Sequence, residues 1–430
     1  MPILRWAPQY NRAYLRPDLI AGVTVTALIV PKNLGYAEIA KVPIENGLYA
    51  AAAGAILYGI FGTSRQISTG PSSALAAVAG SAVLATGVSS APDAGAIVAA
   101  IAISAGLIFL LMSLLKMGWI ARFISRAVIT GFLFGAAIDV TAGELPKITG
   151  SDGSGDNAWQ KFWSWIRGLD GFDGTTLLVG SLSLAALFGL RAVAPRVPGA
   201  LVVVIAGLVA SAVFNLGDNG VALVGDVPRG LPSVDVPDLQ LVADHAILVG
   251  LASVAIVLIG FSQSAGDARY FATKHGYQVD IDQESFAQGA ANAGAGLIQG
   301  IPVSTSLSAS SLNDRAGAKS QLASLTTGGA VFLTLIIFAP LFSDLPKAVL
   351  GAVVIEAVTT GMMDIPELRR LFAVKRSDFW IAIAAIVGVV LGGVLAGVVI
   401  GVVLSVGWLL RVVTSPAMPL LGRAPGTHVF

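Results

Sequence analysis

The stretch Ile67–Gly80, ISTGPSSALAAVAG, decides how this chain is read. Its first seven residues hold four hydroxyl side chains, a glycine and a proline, yet it lies between two strongly apolar segments. A polar, proline-marked stretch at membrane depth is tolerated only where it is buried in protein or lines a cavity. A counterpart occurs far downstream: Gly300–Ser311, GIPVSTSLSASS, is also marked by Gly and Pro, then rich in hydroxyls, then helical in pattern. Pro71 and Pro302 suit the first turn of a helix, where a missing N–H costs nothing. Ser72, Ser73, Ser304, Thr305 and Ser306 suit helix N-termini, because their oxygens accept from unpaired N–H groups. Two half-helices starting near the bilayer midplane would each present about +0.5 charge and free donors, which together form an anion site. Ser, Thr and Gly also serve plain close packing of membrane helices, so the alternative for either stretch alone is packing.

The surrounding chain fits this reading. Its 430 residues are 55% hydrophobic and only 12% charged, with mean hydropathy +0.81. A soluble domain carries roughly 25% charged residues, so the composition is that of a polytopic membrane protein. The net charge of +1 gives no basic field for nucleic acid, and the absence of cysteine rules out thiol and disulfide chemistry. Apolar segments are expected at 18–40, 47–62, 71–87, 94–115, 120–142, 175–192, 198–215, 246–266, 283–299, 303–314, 317–343, 347–361, 378–393 and 394–412. That makes about fourteen, of which 71–87 and 303–314 are too short or polar to span alone. The uncharged run Phe379–Leu410 is too long for one span, so a break is expected at Gly392-Gly393.

Polar residues 216–245 divide the chain into two sets of seven segments, 18–215 and 246–413. An odd number inverts the second set relative to the first, the pattern of many secondary transporters. With residues 1–17 and both termini in the cytoplasm of an inner (plasma) membrane protein, most Lys and Arg fall on the cytoplasmic side. The exceptions are Lys41, Lys147, Lys161, Arg167, Arg229 and Lys347 outside, and Lys32 within a segment. No G-x-x-x-x-G-K motif, nucleophile–base pair or metal-ligand spacing occurs, so neither ATP, a cofactor nor enzymatic chemistry is expected. GFLFG (131–135) and GVVIG (397–401) read as close helix contacts. The stretch 156–172, DNAWQKFWSWIRGLDGF, reads as an outer interfacial helix.

Three stretches carry a family resemblance: VPKNLGYAEIAKVPIENGLYAA (30–51), GTSRQISTGPSSAL (62–75), and ATKHGYQVDIDQESFAQGAANAGAGLIQGIPVSTSLSAS (272–310). They are similar to the sulfate permease (SulP) anion transporters, bacterial relatives of solute carrier family 26. The resemblance runs over nearly the whole chain. It implies an all-α, seven-plus-seven inverted repeat with the anion held between the third and tenth segments. It also implies a core domain of segments 1–4 and 8–11, a gate domain of segments 5–7 and 12–14, and a homodimer. A cytoplasmic STAS domain usually follows in the family. This sequence lacks it, and residues 414–430 read as the linker towards it.

Departures from the family pattern bear on mechanism. The family's Ser-x-Ser-Arg is here Ser306-Leu307-Ser308-Ala309, without the arginine. Gln263 stands where a glutamate is common, and Lys32 follows Pro31 where a glutamine is usual. Lys32 and Tyr36, four residues apart, share one helix face, so Lys32 can restore the missing positive charge. The expected substrate site is Lys32, Tyr36, Ser72, Ser73, Gln263, Ser306, Leu307, Ser308 and Ala309, and the expected proton-coupling group is Glu38. Asp139 and Glu356 are expected to pair with polar groups of the core domain, the alternative being a proton relay, and Asp267 to be interfacial beside Arg269. The expected function is proton-coupled symport of a small carboxylate or dicarboxylate, or of an inorganic oxyanion such as sulfate or bicarbonate. The alternatives are anion exchange or an uncoupled anion channel on the same fold and, further off, nucleobase transport.

Overall fold

The computed structural model describes residues 1–414, apart from 123–125, 196, 226, 228–229 and 231. In chain order its helices and strands are α1 (Ile3–Trp6), α2 (Leu15–Ile39), α3 (Ile44–Phe61), β1 (Thr69–Pro71), α4 (Ser73–Thr86), α5 (Ala91–Leu114), α6 (Arg126–Thr149), α7 (Ala158–Arg167), α8 (Gly174–Val193) and α9 (Gly199–Phe214). The second part holds α10 (Leu239–Asp244), α11 (Ala246–His275), α12 (Ile281–Leu297), β2 (Val303–Thr305), α13 (Leu307–Arg315), α14 (Leu322–Ile337), α15 (Lys347–Met362), α16 (Ile365–Val374) and α17 (Arg376–Thr414). Eight helices among the described residues are long and apolar enough to cross a membrane; α4, α9 and α14 are shorter apolar helices. Of the expected linker 414–430, residues 415–430 lie outside the described residues, as do Arg196 and Arg229.

Each expected segment falls on a helix. The long terminal run breaks at Gly393, whose φ of 82° and ψ of 168° only glycine adopts readily. Two features depart from expectation. Pro71 ends a β-strand and Pro302 precedes one, so neither opens a helix. The half-helices start later, at Ser73 and Leu307, capped by Ser72 and Ser306. An extended lead-in wins because β1 and β2 pair with each other, antiparallel, with Thr69 opposite Thr305 and Pro71 opposite Val303. The element order of the first half recurs in the second, and equivalent strands run in opposite directions, as an inverted repeat requires.

A two-stranded ribbon buried among helices leaves many backbone groups without ladder partners. Side chains of α12 supply them. Asn292 Nδ2 donates to the Val303 carbonyl at 2.8 Å, and the Val303 N–H donates to Asn292 Oδ1 at 2.9 Å. Gln288 donates to Thr69 Oγ1 at 3.1 Å. On the other side, α3 approaches β1 at Gly54, where an added Cβ would sit 3.1 Å from the Thr69 carbonyl oxygen.

The helices pack as two groups. Helices α2–α5 pack with α11–α14, whereas α6, α8 and α9 pack with α15, and α17 lies along α6. The α6–α17 contact uses the GFLFG glycines: Gly131 lies against Ala382, and a Cβ on Gly135 would stand 2.7 Å from Val389 Cβ. The stretches that carry the family resemblance also bind each other. Glu284 accepts from the Tyr58 hydroxyl at 2.6 Å, from the Thr63 N–H at 2.8 Å and from the Thr63 hydroxyl. Ser64 and Tyr277 hydroxyls meet at 2.6 Å. Ahead of α2, Tyr10 donates to Asp18, and burial together with that carboxylate pushes its phenol up to about 12. Asp18 also accepts from the N–H groups of Lys319 and Ser320, tying α2 to the turn before α14.

Candidate anion-binding site

The β1–β2 ribbon sets the starts of α4 and α13 side by side. Ser72 Oγ accepts from the Leu75 N–H and Ser306 Oγ from the Ala309 N–H, both at 3.4 Å. Each cap satisfies one of the orphan donors of its helix and leaves others facing outward. Beyond them lies a cavity of about 450 Å³. Lys32 and Tyr36 of α2, Ser72 and Ser73, Gln263 of α11, and Ser306, Leu307 and Ser308 all line it. Ala309 borders an adjoining small pocket with Lys32 and Tyr36. Eight of the nine residues chosen from sequence therefore meet around one space, and the ninth borders the pocket beside it.

Hydroxyls and amides order its wall. The Ser304 hydroxyl donates to Gln263 Oε1 at 2.8 Å and lies 3.5 Å from Ser72 Oγ. Ser306 and Ser308 hydroxyls are 3.2 Å apart. This wall is rich in donors, and two helix N-termini focused on it sum to roughly one positive charge. Such a wall suits an anion. Among the described residues there is no cluster of three or more acidic, histidine or cysteine side chains able to hold a metal ion.

The opposite wall belongs to the other helix group. Arg191, near the end of α8, and Thr360 of α15 line the cavity. Glu356 of α15 lies 2.9 Å from Arg191 Nη1 and 3.7 Å from Lys32 Nζ. The Lys32–Glu356 contact thus joins the two groups beside the cavity. A larger vestibule of about 720 Å³ shares Lys32, Arg191, Ser308 and Ser311 with it. That vestibule runs past Val23, Thr24, Pro198 and Arg315, towards the end of the molecule where α2 begins.

One acid, Asp267, sits differently from expectation. Asp267 is buried at 9% exposure, lines the cavity, and accepts from the Thr305 hydroxyl at 2.9 Å. Arg269 points elsewhere and is exposed. The pair Asp267–Arg269 read as interfacial because two residues of helix turn a side chain through about 200°, and only the tertiary fold shows which face is wet. Glu38 is outside the cavity. Its carboxylate lies 2.6 Å from Lys147 Nζ of α6, and Lys147 also holds Glu144 at 2.9 Å. Nearby, Asp139 pairs with Lys161 of α7 at 2.6 Å. The reason lies in spacing: six residues past Lys32, Glu38 has risen about 9 Å along α2, beyond the half-helix starts. Thr305 was read from sequence only as a helix-start residue and Asp267 only as interfacial, while Arg191 and the anchors Gln288 and Asn292 were not singled out. The signal for the last two was there, as a polar pair at i, i+4 in an apolar helix.

Comparison with known proteins fits this geometry. The profile of the sulfate permease family matches residues 15–385. A probable sulfate transporter of Mycobacterium tuberculosis (strain H37Rv) is 34% identical over 427 residues, covering 98% of this chain and 76% of that protein. The chloroplastic sulfate transporter 4.1 of Arabidopsis thaliana is 31% identical over 454 residues, covering all of this chain and 63% of that protein. Among solved structures, SLC26A9 superimposes with TM-score 0.86 at 23% identity, over 97% of this chain and 68% of that one. The transmembrane domain of the cyanobacterial bicarbonate transporter BicA superimposes with TM-score 0.82 at 19% identity, over 90% of this chain and 98% of that domain.

Proposed function

The chain belongs to the sulfate permease family of anion transporters, a family of membrane transporters rather than enzymes, and on that footing we propose that it is a proton-coupled symporter of a small anion. The observation that carries this reading is the β1–β2 ribbon, which aims two half-helix N-termini into one cavity of about 450 Å³. The substrate binds between Ser72–Ser73 and Ser306–Ala309, with Lys32, Tyr36 and Gln263 around it. Helices α2–α5 with α11–α14 form the core domain that carries it. Helices α6, α8, α9, α15 and α17 form the gate domain against which the core moves. With the start of α2 in the cytoplasm, the vestibule opens inward and the paired charges around Lys147 close the outside. The protein works in the inner (plasma) membrane as a homodimer.

Its substrate class is a small carboxylate or dicarboxylate, or an inorganic oxyanion. Sulfate is the substrate named for the curated relatives, and bicarbonate for a protein of the same fold. Ala309 in place of the family's arginine lowers the site's charge and favours a broader choice than sulfate alone. The test is uptake of labelled sulfate, bicarbonate and succinate into proteoliposomes, with and without an inward proton gradient. Saturable uptake of one anion, accelerated by the gradient, supports the reading. Saturable uptake driven only by an opposing anion supports exchange, and unsaturating conductance supports a channel.

A further inference from the structure

We infer that Asp267 is the group that ties anion binding to a proton: its carboxylate is ionised while the cavity is empty and takes up a proton when an anion enters. This deepens the transport reading above and rests on it. The argument is one of charge around a closed space. Asp267 comes from α11 and lines the same cavity as Ser72, Ser73 and Ser306. Its one hydrogen-bond donor among the described residues is the neutral Thr305 hydroxyl, at 2.9 Å. The cations facing the same space are Lys32 of α2 and Arg191 of α8, and both lie against Glu356 of α15. The remaining titratable neighbour is Tyr36 of α2, a phenol. Gln263, one turn before Asp267, and Thr360 of α15 carry no charge.

Two cations and Glu356 leave one positive charge. An ionised Asp267 cancels it, whereas a protonated Asp267 leaves it for the incoming anion. A buried carboxylate with no cation is costly when charged, and a second negative charge beside it adds to that cost. Protonation removes both penalties at once, so anion and proton bind with positive coupling. The proton enters from water through the vestibule, resides on an Asp267 oxygen, and leaves with the anion on the far side. No such coupling falls on Glu38, whose charge is already matched by Lys147.

Titration calorimetry of the purified full-length chain tests this, with sulfate and succinate as choline salts in two buffers of different ionisation heat. Wild type is expected to take up about one proton per anion, and its Kd to weaken about tenfold per pH unit once Asp267 is ionised in the empty protein. Asp267→Asn keeps the shape and mimics the protonated state. It is expected to take up no proton and to bind at alkaline pH as wild type binds in mild acid. Glu38→Gln, a second variant that leaves the cavity untouched, is expected to keep the one-proton uptake. Proton uptake that persists in Asp267→Asn, or vanishes in Glu38→Gln, overturns the inference. So does anion binding by wild type with no proton uptake, or affinity that rises with sodium at fixed pH, although the anion site then stands. Failure of both probes to bind or to cross a bilayer removes the anion reading and this inference with it.

Discussion

The cavity and the seam around Lys147 treat charge in opposite ways. At the seam, the carboxylates of Glu38, Glu144 and Asp139 each have an ammonium group within 3 Å, from Lys147 or Lys161. The space left there is a cleft of about 50 Å³ between α2, α4 and α6. At the cavity, donors outnumber charges, and Asp267 has a hydroxyl for company and, among the described residues, no ion-pair partner. One helix, α2, serves both regions: Lys32 faces the cavity, and Glu38 reaches the seam. The lesson is that a paired ion holds two bodies together, while an unpaired one is free to change its protonation with a ligand. A seam closed by ion pairs and an open vestibule at the other end of α2 are then two views of one arrangement of the helices.

The largest effect is expected from breaking the seam at its shared cation. Lys147→Met leaves Glu38 and Glu144 together, two like charges with only the neighbouring Lys41 to offset them. Removing one member of a buried ion pair costs about 3–5 kcal/mol, and the partial exposure of Lys147 argues for the lower end. Thermal unfolding in detergent should show a clear fall in stability. The double variant Lys147→Met with Glu144→Gln should recover much of it. Recovery only by restoring Lys147 would mean that the lysine stem packs, rather than its charge.

The next prediction breaks the ribbon that makes the cavity what it is. Asn292→Leu leaves the N–H and C=O of Val303 buried and unpaired. Unpaired buried groups cost about 1–3 kcal/mol each, and some relaxation brings the expected total to about 2 kcal/mol. Because β2 leads directly into α13, anion uptake should fall by more than stability alone explains. Equal uptake per folded molecule would show that α13 is aimed by α13 itself and not by the strand.

Much of this was legible in the sequence because it rests on local chemistry. A serine preceding a small apolar helix reads as a cap, and both Ser72 and Ser306 are caps. Glycine pairs read as breaks or contacts, and Gly393, Gly131 and Gly135 act so. The polarity switch at two matching places gave the half-helices and the residues that meet at the cavity. What stayed hidden depends on partners remote in sequence. The β-ribbon needs two triplets more than 230 residues apart, and neither Thr69–Pro71 nor Val303–Thr305 shows enough alternation to announce a strand. That Asp267 lines the cavity and Glu38 meets Lys147 stayed hidden for the same reason. Both are acids in apolar stretches of helix, and only the neighbouring helices decide which one meets a lysine.

A milder change sharpens the cavity side. Ser72→Ala and Ser306→Ala each remove a cap, worth about 1 kcal/mol. Each also removes a hydroxyl from the cavity wall. A loss of that size in anion affinity corresponds to roughly fivefold in KM. The two effects should be close to additive in the double variant if each helix contributes its own end. Strong non-additivity would show that Ser72 and Ser306 act on the anion as one unit, through Ser304, whose hydroxyl lies 3.5 Å from Ser72 Oγ.

The smallest effect is expected at Glu38, and it decides most sharply between the two regions. Glu38→Gln removes one of the two carboxylates at Lys147, but Glu144 remains at 2.9 Å and the glutamine oxygen can still accept. The cost in stability should stay below about 1 kcal/mol, as for a partly exposed ion pair. Uptake should continue, and its acceleration by an inward proton gradient should survive. If Glu38 were itself the proton carrier, that acceleration would vanish while anion binding stayed intact. The contrast drawn above would then reverse, with the seam as the proton-coupled element and the cavity as a passive anion pocket. A retained proton response, paired with its loss in Asp267→Asn, places the coupling where the unmatched charge lies.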